Sequence, residues 1–367
     1  MFRGGPARYT ITLNLGVLLF GTDVYLIHGA PIDAAMDRVS VRLDVAIRTR
    51  CHHARPVLYS AESMTHAGPP IVNSPSRGSM MTFQVTKLAE SLGAEITGLD
   101  LRQPFDGETL AAVRAAWLDN LVLLFRGQRL SDAQLIAFSE QFGKLDRVPS
   151  WDQFHSPGHP QVLVVSNVTE GGQAIGVLGD GEASWHTDMS YIERPPTASV
   201  LHAHEIPDRG GDPSFLNMYA VLDALAPTLL EAISERQMNH DETHDSGGNL
   251  HPGKTASTDV SAMPGARHPI IRLHPETGKK ALFLGRRLHA HIIAMQVAES
   301  EALLDALWQV CARDELRFRH RWRPGDVLMW DNRCTMHRRE AFDPAARRIM
   351  HRTEIIGEVP VAATGAA

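Results

Sequence analysis

Cysteine is scarce in this chain, and so is net charge of either sign. Cys51, Cys311 and Cys334 are the three cysteines among 367 residues. An odd, widely spaced set excludes a disulfide framework and a cysteine-built zinc site, and fits reduced thiols in the cytoplasm. Net charge is −6, with no sustained basic run, so nucleic acid and anionic membrane surfaces gain no electrostatic hold. No apolar stretch is long enough to span a bilayer. The segment "ITLNLGVLLFG", behind Arg3 and Arg8, has only the length of a signal-peptide core, and a cytoplasmic protein is expected. Aromatic residues are few, at 6%, whereas histidine is abundant, at 19. That permits a metal site without locating one. Hydrophobic content of 43% and charged content of 21% are those of an ordinary globular chain.

Residues 1–79 are rich in turn formers, as in "CHHARP" and "GPPIVNSPSRGS", and hold no sustained period. They are expected to be disordered or a start-site artefact, with a folded domain over 80–361 and a short tail over 362–367. Past Met80–Met81, short strands alternate with helices. "DGETLAAVRAAWLDN" has helical spacing. "LVLLFRG" reads as a buried strand. "LSDAQLIAFSEQFG" reads as a helix with Ser131 and Gln134 in a capping box. "MYAVLDALAPTLLEAISER" reads as one further helix. Many short strands, few helices and no strand–helix–strand rhythm predict a mainly β fold with helical additions, a β-sandwich or jelly roll.

"GNLHPGKT", from Gly248, matches a nucleotide-binding loop letter for letter. Such a loop needs a buried apolar strand before it and a helix after it. Here "MNHDETHDSG" precedes it, "ASTDVSAMPGAR" follows it, and Pro252 removes an amide donor. A mobile surface loop or lid is expected, not a phosphate cradle around Lys254.

"ASWHTDMSYIERPP" carries more. On a strand His186 and Asp188 face one way, and a third ligand would complete a two-histidine, one-carboxylate face suited to ferrous iron. The other His-x-Glu pairs are weaker: His274/Glu276 in a turn expected to face solvent, His240/Glu242 in the polar segment. His202 and His204 share a strand face and read as ordinary satisfied histidines. Downstream, Arg348 and Arg352 share one face of a strand-like run with Met350. Two inward arginines are costly unless anions meet them, either internal carboxylates or a carboxylate ligand.

From about Met81 to Pro360 the chain resembles the taurine/2,4-dichlorophenoxyacetate dioxygenase family. The resemblance rests on "GAEITGLDL", "LVLLFRGQ", "AFSEQFGKL", "WHTDMSYIERPP", "HPIIRLHPETGKKALF", "WDNRCTMHR" and "RRIMHRTEI", in order and at matching spacing. It implies a double-stranded β-helix core and an Fe(II)- and 2-oxoglutarate-dependent oxygenase using O2, with iron on His186, Asp188 and His337 and the distal carboxylate of 2-oxoglutarate on Arg348. It also implies a homodimer or homotetramer. Asp188 argues against the halogenating relatives, which lack this carboxylate.

Departures from the family pattern bear on substrate. "GGDPSF" places Pro213 where a threonine would bond 2-oxoglutarate, which leaves Ser214 as the candidate. Val148 and Trp151 stand where the taurine enzymes carry histidine and tyrosine, and Glu182 replaces an asparagine. Expectation therefore turns from taurine towards another small organic acid: a carboxylate, sulfonate, sulfate ester or aryloxyalkanoate. Arg352 matches the family's substrate-anion arginine, and Met189, Trp151 and Glu182 join it as candidate substrate contacts. Tyr191 and Trp330 are candidate pocket walls. The rival reading is a non-catalytic module that binds metal or a 2-oxo acid on the same fold.

Overall fold

The computed structural model describes residues 17–20, 23–26 and 83–363, apart from 148, 182, 252 and 256. The chain divides into two units, Met1–Pro75 and Ser76–Ala367. In the first, Val17–Phe20 and Asp23–Leu26 pair as an antiparallel hairpin; the rest of the segment expected to be disordered lies outside the described residues.

The second unit is mainly β. Its two main sheets use thirteen strands, numbered here in chain order: β1 (Gln84–Lys87), β2 (Ala94–Thr97), β3 (Val122–Phe125), β4 (His155–Ser156), β5 (His159–Ser166), β6 (Val177–Leu178), β7 (Ala183–His186), β8 (Ala198–Glu205), β9 (Pro213–Asn217), β10 (Arg317–Arg319), β11 (Val327–Asp331), β12 (Thr335–Arg339) and β13 (Ile349–Ile355). The nine-stranded major sheet runs β6-β5-β13-β8-β11-β3-β2-β1, with β4 added to β5. The four-stranded minor sheet runs β7-β12-β9-β10.

Alternation along the strands builds two cores. On β8 and β11, Ala198, Val200, Val327 and Met329 pack with helices α1 (Gly107–Asn120) and α2 (Asp132–Glu140). Leu201, Ala203, Leu328 and Trp330 join the core on the other face, with Phe215 and Met336 of the minor sheet. Successive side chains of a strand take opposite faces, so each strand serves both cores. The helices begin where their caps dictate. Asp106 accepts from Thr109 N at 2.7 Å, and Ser131 with Gln134 forms the expected reciprocal capping box.

Three local expectations fail for physical reasons. β2 and β3 are parallel and joined through α1, a strand–helix–strand unit at the sheet edge. The long helix expected through "MYAVLDALAPTLLEAISER" is two, Met218–Asp223 and Pro227–Ile233; proline disfavours the α conformation at the residue before it, here Ala226. The polar run before the loop holds a mostly buried strand, Gln237–Asp241. Its polar groups are met internally: Asn239 donates to Met263 O, and Asp241 accepts from Thr243.

Phe138 of α2 is fully buried, with ring centroids of Phe105, Phe125 and Phe142 at 6.0, 5.5 and 5.4 Å. Phe138→Ala should therefore cost about 3–5 kcal/mol in urea unfolding. A loss under about 1 kcal/mol would show that this core readily collapses around the cavity.

Candidate active site

Cross-strand register puts His186 opposite His337. The two are partners in the antiparallel β7–β12 pair, and their ring centroids lie 4.2 Å apart. Asp188 reaches them by a different route from the one its spacing suggests. β7 stops at His186, and the chain turns through Met189, whose φ is 47°. Asn332 clamps that turn: its Oδ1 accepts from Asp188 N at 2.9 Å, and its Nδ2 donates to Asp188 O and Pro196 O at 3.0 Å. Thr187 N donates to Gly285 O at 3.1 Å. Gly285 has φ +60°, and a Cβ there would meet His240 Nδ1 at 2.1 Å and Ser190 Oγ at 2.6 Å, so only glycine fits.

Asp188 Oδ1 lies 3.6 Å from His186 Nε2 and 3.8 Å from His337 Nε2. One ligand atom from each of the three falls within 4.8 Å of the others. His186 Nδ1 faces Ser184 O at 2.7 Å. Nδ1 is then the donor, which leaves the Nε2 lone pair on the Asp188 side. Ser199 Oγ donates to Asp188 Oδ2 at 2.8 Å and leaves Oδ1 towards the imidazoles.

Electrostatics favour a cation here. Burial works to raise the Asp188 carboxyl, yet His337, Arg352 and His186 outweigh it and hold the group well below the usual carboxylate range. Burial, then the neighbouring His186, pushes His337 down to about 3. His337 is therefore neutral at neutral pH, and Arg352, with Nη1 3.4 Å from Asp188 Oδ1, is the lasting positive partner. Two imidazoles, one of them neutral by this reasoning, and one ionised carboxylate form a donor set for a divalent transition metal.

Two small cavities border the cluster. One, of about 70 Å³, is lined by Trp151, Met189, Tyr191, His251 and Arg286, with His186, Asp188 and Arg352 at its floor. The other, of about 60 Å³, is lined by Pro213, Phe215, Trp330, Arg339 and Arg348, again with His186, His337 and Arg352. Arg348 is 3% exposed, and its Nε has no hydrogen-bond partner. Burial, with Arg339 nearby, pulls its pKa down to about 9. Arg352 differs, because it meets both Asp188 and Glu354, the latter at 3.0 Å. The larger cavity of about 770 Å³ between Tyr219, Arg236 and Lys280 holds none of these residues.

His186, Asp188, His337, Arg348, Arg352, Met189 and Trp151 thus come together. Ser214 does not join them: it is buried between Pro213 and Phe215, and the strand's period of two turns it away from the cavity its neighbours line. Glu182 and Val148 lie outside the described residues. His274 does not face solvent; it is fully buried with Nε2 3.0 Å from Asp331 Oδ2. His240 is likewise buried, against Phe283.

The loop that mimics a nucleotide cradle lines the first cavity instead. Lys254 pairs with Glu242 at 2.6 Å, while His251 packs near Trp151 and Tyr191 with centroids 5.7 Å from each. Reading the sequence did not single out Ser199, Asn332, Arg286 or His251. Ser199 was legible as the one hydroxyl in the apolar "ASVL" that opens β8, and Asn332 as part of "WDNR". Arg286, which donates to the carbonyls of Asp241, His244 and Asp245, left no pattern.

Comparison with known proteins gives the family. The family model for the taurine catabolism dioxygenase TauD, TfdA family matches residues 84–353. The (S)-phenoxypropionate/alpha-ketoglutarate-dioxygenase of Delftia acidovorans is 32% identical over 75% of this chain and 96% of its own. The crystal structure of a taurine dioxygenase from Burkholderia xenovorans is 32% identical, with a TM-score of 0.64 over 78% of this chain and 94% of that one. AAD-2, solved in complex with Mn(II) and N-oxalylglycine, is 29% identical, with a TM-score of 0.63 over 77% of this chain and 100% of that one. The chain therefore belongs to the TauD, TfdA family of 2-oxoglutarate-dependent dioxygenases and is an oxidoreductase.

Proposed function

We propose that His186, Asp188 and His337 hold Fe(II), that Arg348 binds the distal carboxylate of 2-oxoglutarate, and that the enzyme oxidises a small organic acid. The observation that carries this is Arg348: a buried guanidinium whose Nε is unpartnered, lining a cavity that the two imidazoles also line. Asp212 acts on it only from a distance; a buried cation that makes no direct ion pair is costly, and a ligand carboxylate meets that cost with a two-pronged bond. The N-oxalylglycine bound by AAD-2 is a carboxylate of the same shape as 2-oxoglutarate. The facing major and minor sheets serve as the double-stranded β-helix core. Iron with 2-oxoglutarate and O2 would supply the oxidising power, releasing succinate and CO2. This chain's own residues hold the metal, orient the acids and exclude water.

The substrate faces the other cavity, beneath Trp151 and Met189 and beside Arg352. Relatives carry names for a phenoxypropionate and for taurine, and what these share is a small body with one anionic head. Arg352 already meets Asp188 and Glu354, so its capacity for a third anion depends on Glu354. Burial pushes the Glu354 carboxyl up to about 7, against the pull of Arg352. In its protonated form Glu354 leaves Arg352 only Asp188 to balance, and the guanidinium can then take the substrate's acid group. The family resemblance extends to a homodimer or homotetramer and to a domain over 80–361.

Purified enzyme with Fe(II) should release succinate from 2-oxoglutarate, faster with the right member of a panel of carboxylates, sulfonates, sulfate esters and aryloxy acids. His186→Ala and His337→Ala should abolish release; retained turnover would remove these ligands from the proposal. Binding of Fe(II) and 2-oxoglutarate without succinate would instead support a non-catalytic module. Arg348→Ala should raise KM for 2-oxoglutarate by about 10- to 100-fold, the loss of one or two charge-assisted hydrogen bonds.

Glu354 supplies a pH signature. Its folded pKa lies above the ordinary 4.5, so its contribution to stability is complete below that value and is lost as pH rises through about 7. In the metal-free protein, Glu354→Gln should flatten the fall in urea midpoint between those limits. An unchanged slope would show that another group carries it.

A further inference from the structure

The outward faces of β8 and β13 carry a second cluster that the proposed chemistry does not use. His202 and His351 are register partners. His204 follows His202 on the same face, with ring centroids 4.4 Å from His202 and 4.1 Å from His351. Asp132, the first residue of α2, closes the group: its Oδ1 is 2.5 Å from His351 Nδ1, and its Oδ2 accepts from Ser156 and lies 3.9 Å from His159 Nδ1. One ligand atom from each of Asp132, His204 and His351 lies within 4.8 Å of the other two. His202 is 3% exposed; its Nε2 meets Gln128 O at 3.0 Å, and its Nδ1 is buried without a partner.

We infer that Asp132, His204 and His351 form a second divalent-metal site, for Zn²⁺ or a similar borderline cation, that pins the start of α2 to the major sheet. One hydrogen bond to Asp132 needs one imidazole, yet the fold stacks three beside it. Three imidazoles at this spacing cannot all carry protons, because like charges at about 4 Å repel. Partial burial of its inner edge, with His351 and His202 adding to it, lowers His204 to about 4, which favours the neutral form that ligates. Histidine with one carboxylate selects Zn²⁺, Ni²⁺ or Cu²⁺ over Mg²⁺ or Ca²⁺, which prefer all-oxygen shells. The cation would replace the proton between His351 Nδ1 and Asp132 Oδ1, that proton passing to Nε2 or to solvent. His204 is exposed to solvent and gives the ion an entry path.

The site is independent of the proposed iron centre. Arg352 and Leu201 point to the inner cavities, while His351 and His202 take the opposite faces of the same strands. Chelator-treated full-length protein equilibrated with Zn²⁺ at neutral pH, then freed of excess by gel filtration, should retain about two equivalents of metal, one at each cluster. His204→Ala and His351→Gln should each retain about one, with the affinity of the outer site lowered at least about tenfold. Fe(II)-dependent succinate release by these variants should match the parent. Zn²⁺ should also raise the Tm of the parent more than that of His204→Ala, whose exposed side chain leaves the fold intact. Equal zinc uptake by parent and His204→Ala would overturn the inference; a single equivalent in the parent that His204→Ala loses would support the outer site and count against the inner one. Loss of succinate release alone, with outer-site uptake unchanged, would count against it too and would leave the iron centre to be tested separately.

Discussion

The pairing of β7 with β12 is the constraint on which the rest of the site depends. Register there sets His186 against His337, two residues far apart in sequence. Cross-strand partners sit about 4.5–5.5 Å apart at Cβ, the span at which two imidazoles can share one ion. The third donor needs a sharp departure from the sheet, and Asn332 provides it by bonding both the N–H and the C=O of Asp188. A side-chain amide used in this way fixes a turn that backbone pairing alone would not.

Charge placement then separates two arginines that the sequence presents as equals. Arg348 and Arg352 lie four residues apart and both line the same inner cavity. Arg352 has carboxylates within reach, and after His337 it helps to hold Asp188 well below the usual carboxylate range. Arg348 has Arg339 for a neighbour and Asp212 as the weaker opposing charge, and it makes no direct ion pair among the described residues. The first is part of the protein's internal balance. On the proposed function a ligand carboxylate answers the second, while the first can receive the substrate's acid group only as Glu354 gives up its charge, so charge balance, more than spacing, separates the two.

Much of this was legible before any coordinates. The apolar run "LVLLFRG" marked β3, and Ser131 with Gln134 announced the start of α2 because capping is local chemistry. His186, Asp188 and His337 were found through motifs in order and spacing. Long-range packing hid the rest. Burial of the "MNHDETHDSG" segment depends on partners such as Met263 and Phe283, and local polarity argued the other way. Ser214 looked like a substitute for a missing hydroxyl, but a shift of one residue along a strand reverses its face. His274 read as a turn residue, and it sits in a turn, but a turn folded onto Asp331.

The same period of two explains how one strand can serve two unrelated purposes. On β13, Met350, Arg352 and Glu354 face the inner core, while His351, Thr353 and Ile355 face α2: Thr353 meets Ser139 at 2.7 Å, and Ile355 joins the helix-side core. A one-residue slip against β8 would turn Arg352 towards the helices and His351 towards the cavities. It would bury the Arg352 charge among apolar side chains and strip it from Asp188. Both faces therefore penalise the same error, so the register of β13 is specified twice over, by the polar groups that each face must place as well as by its apolar ones.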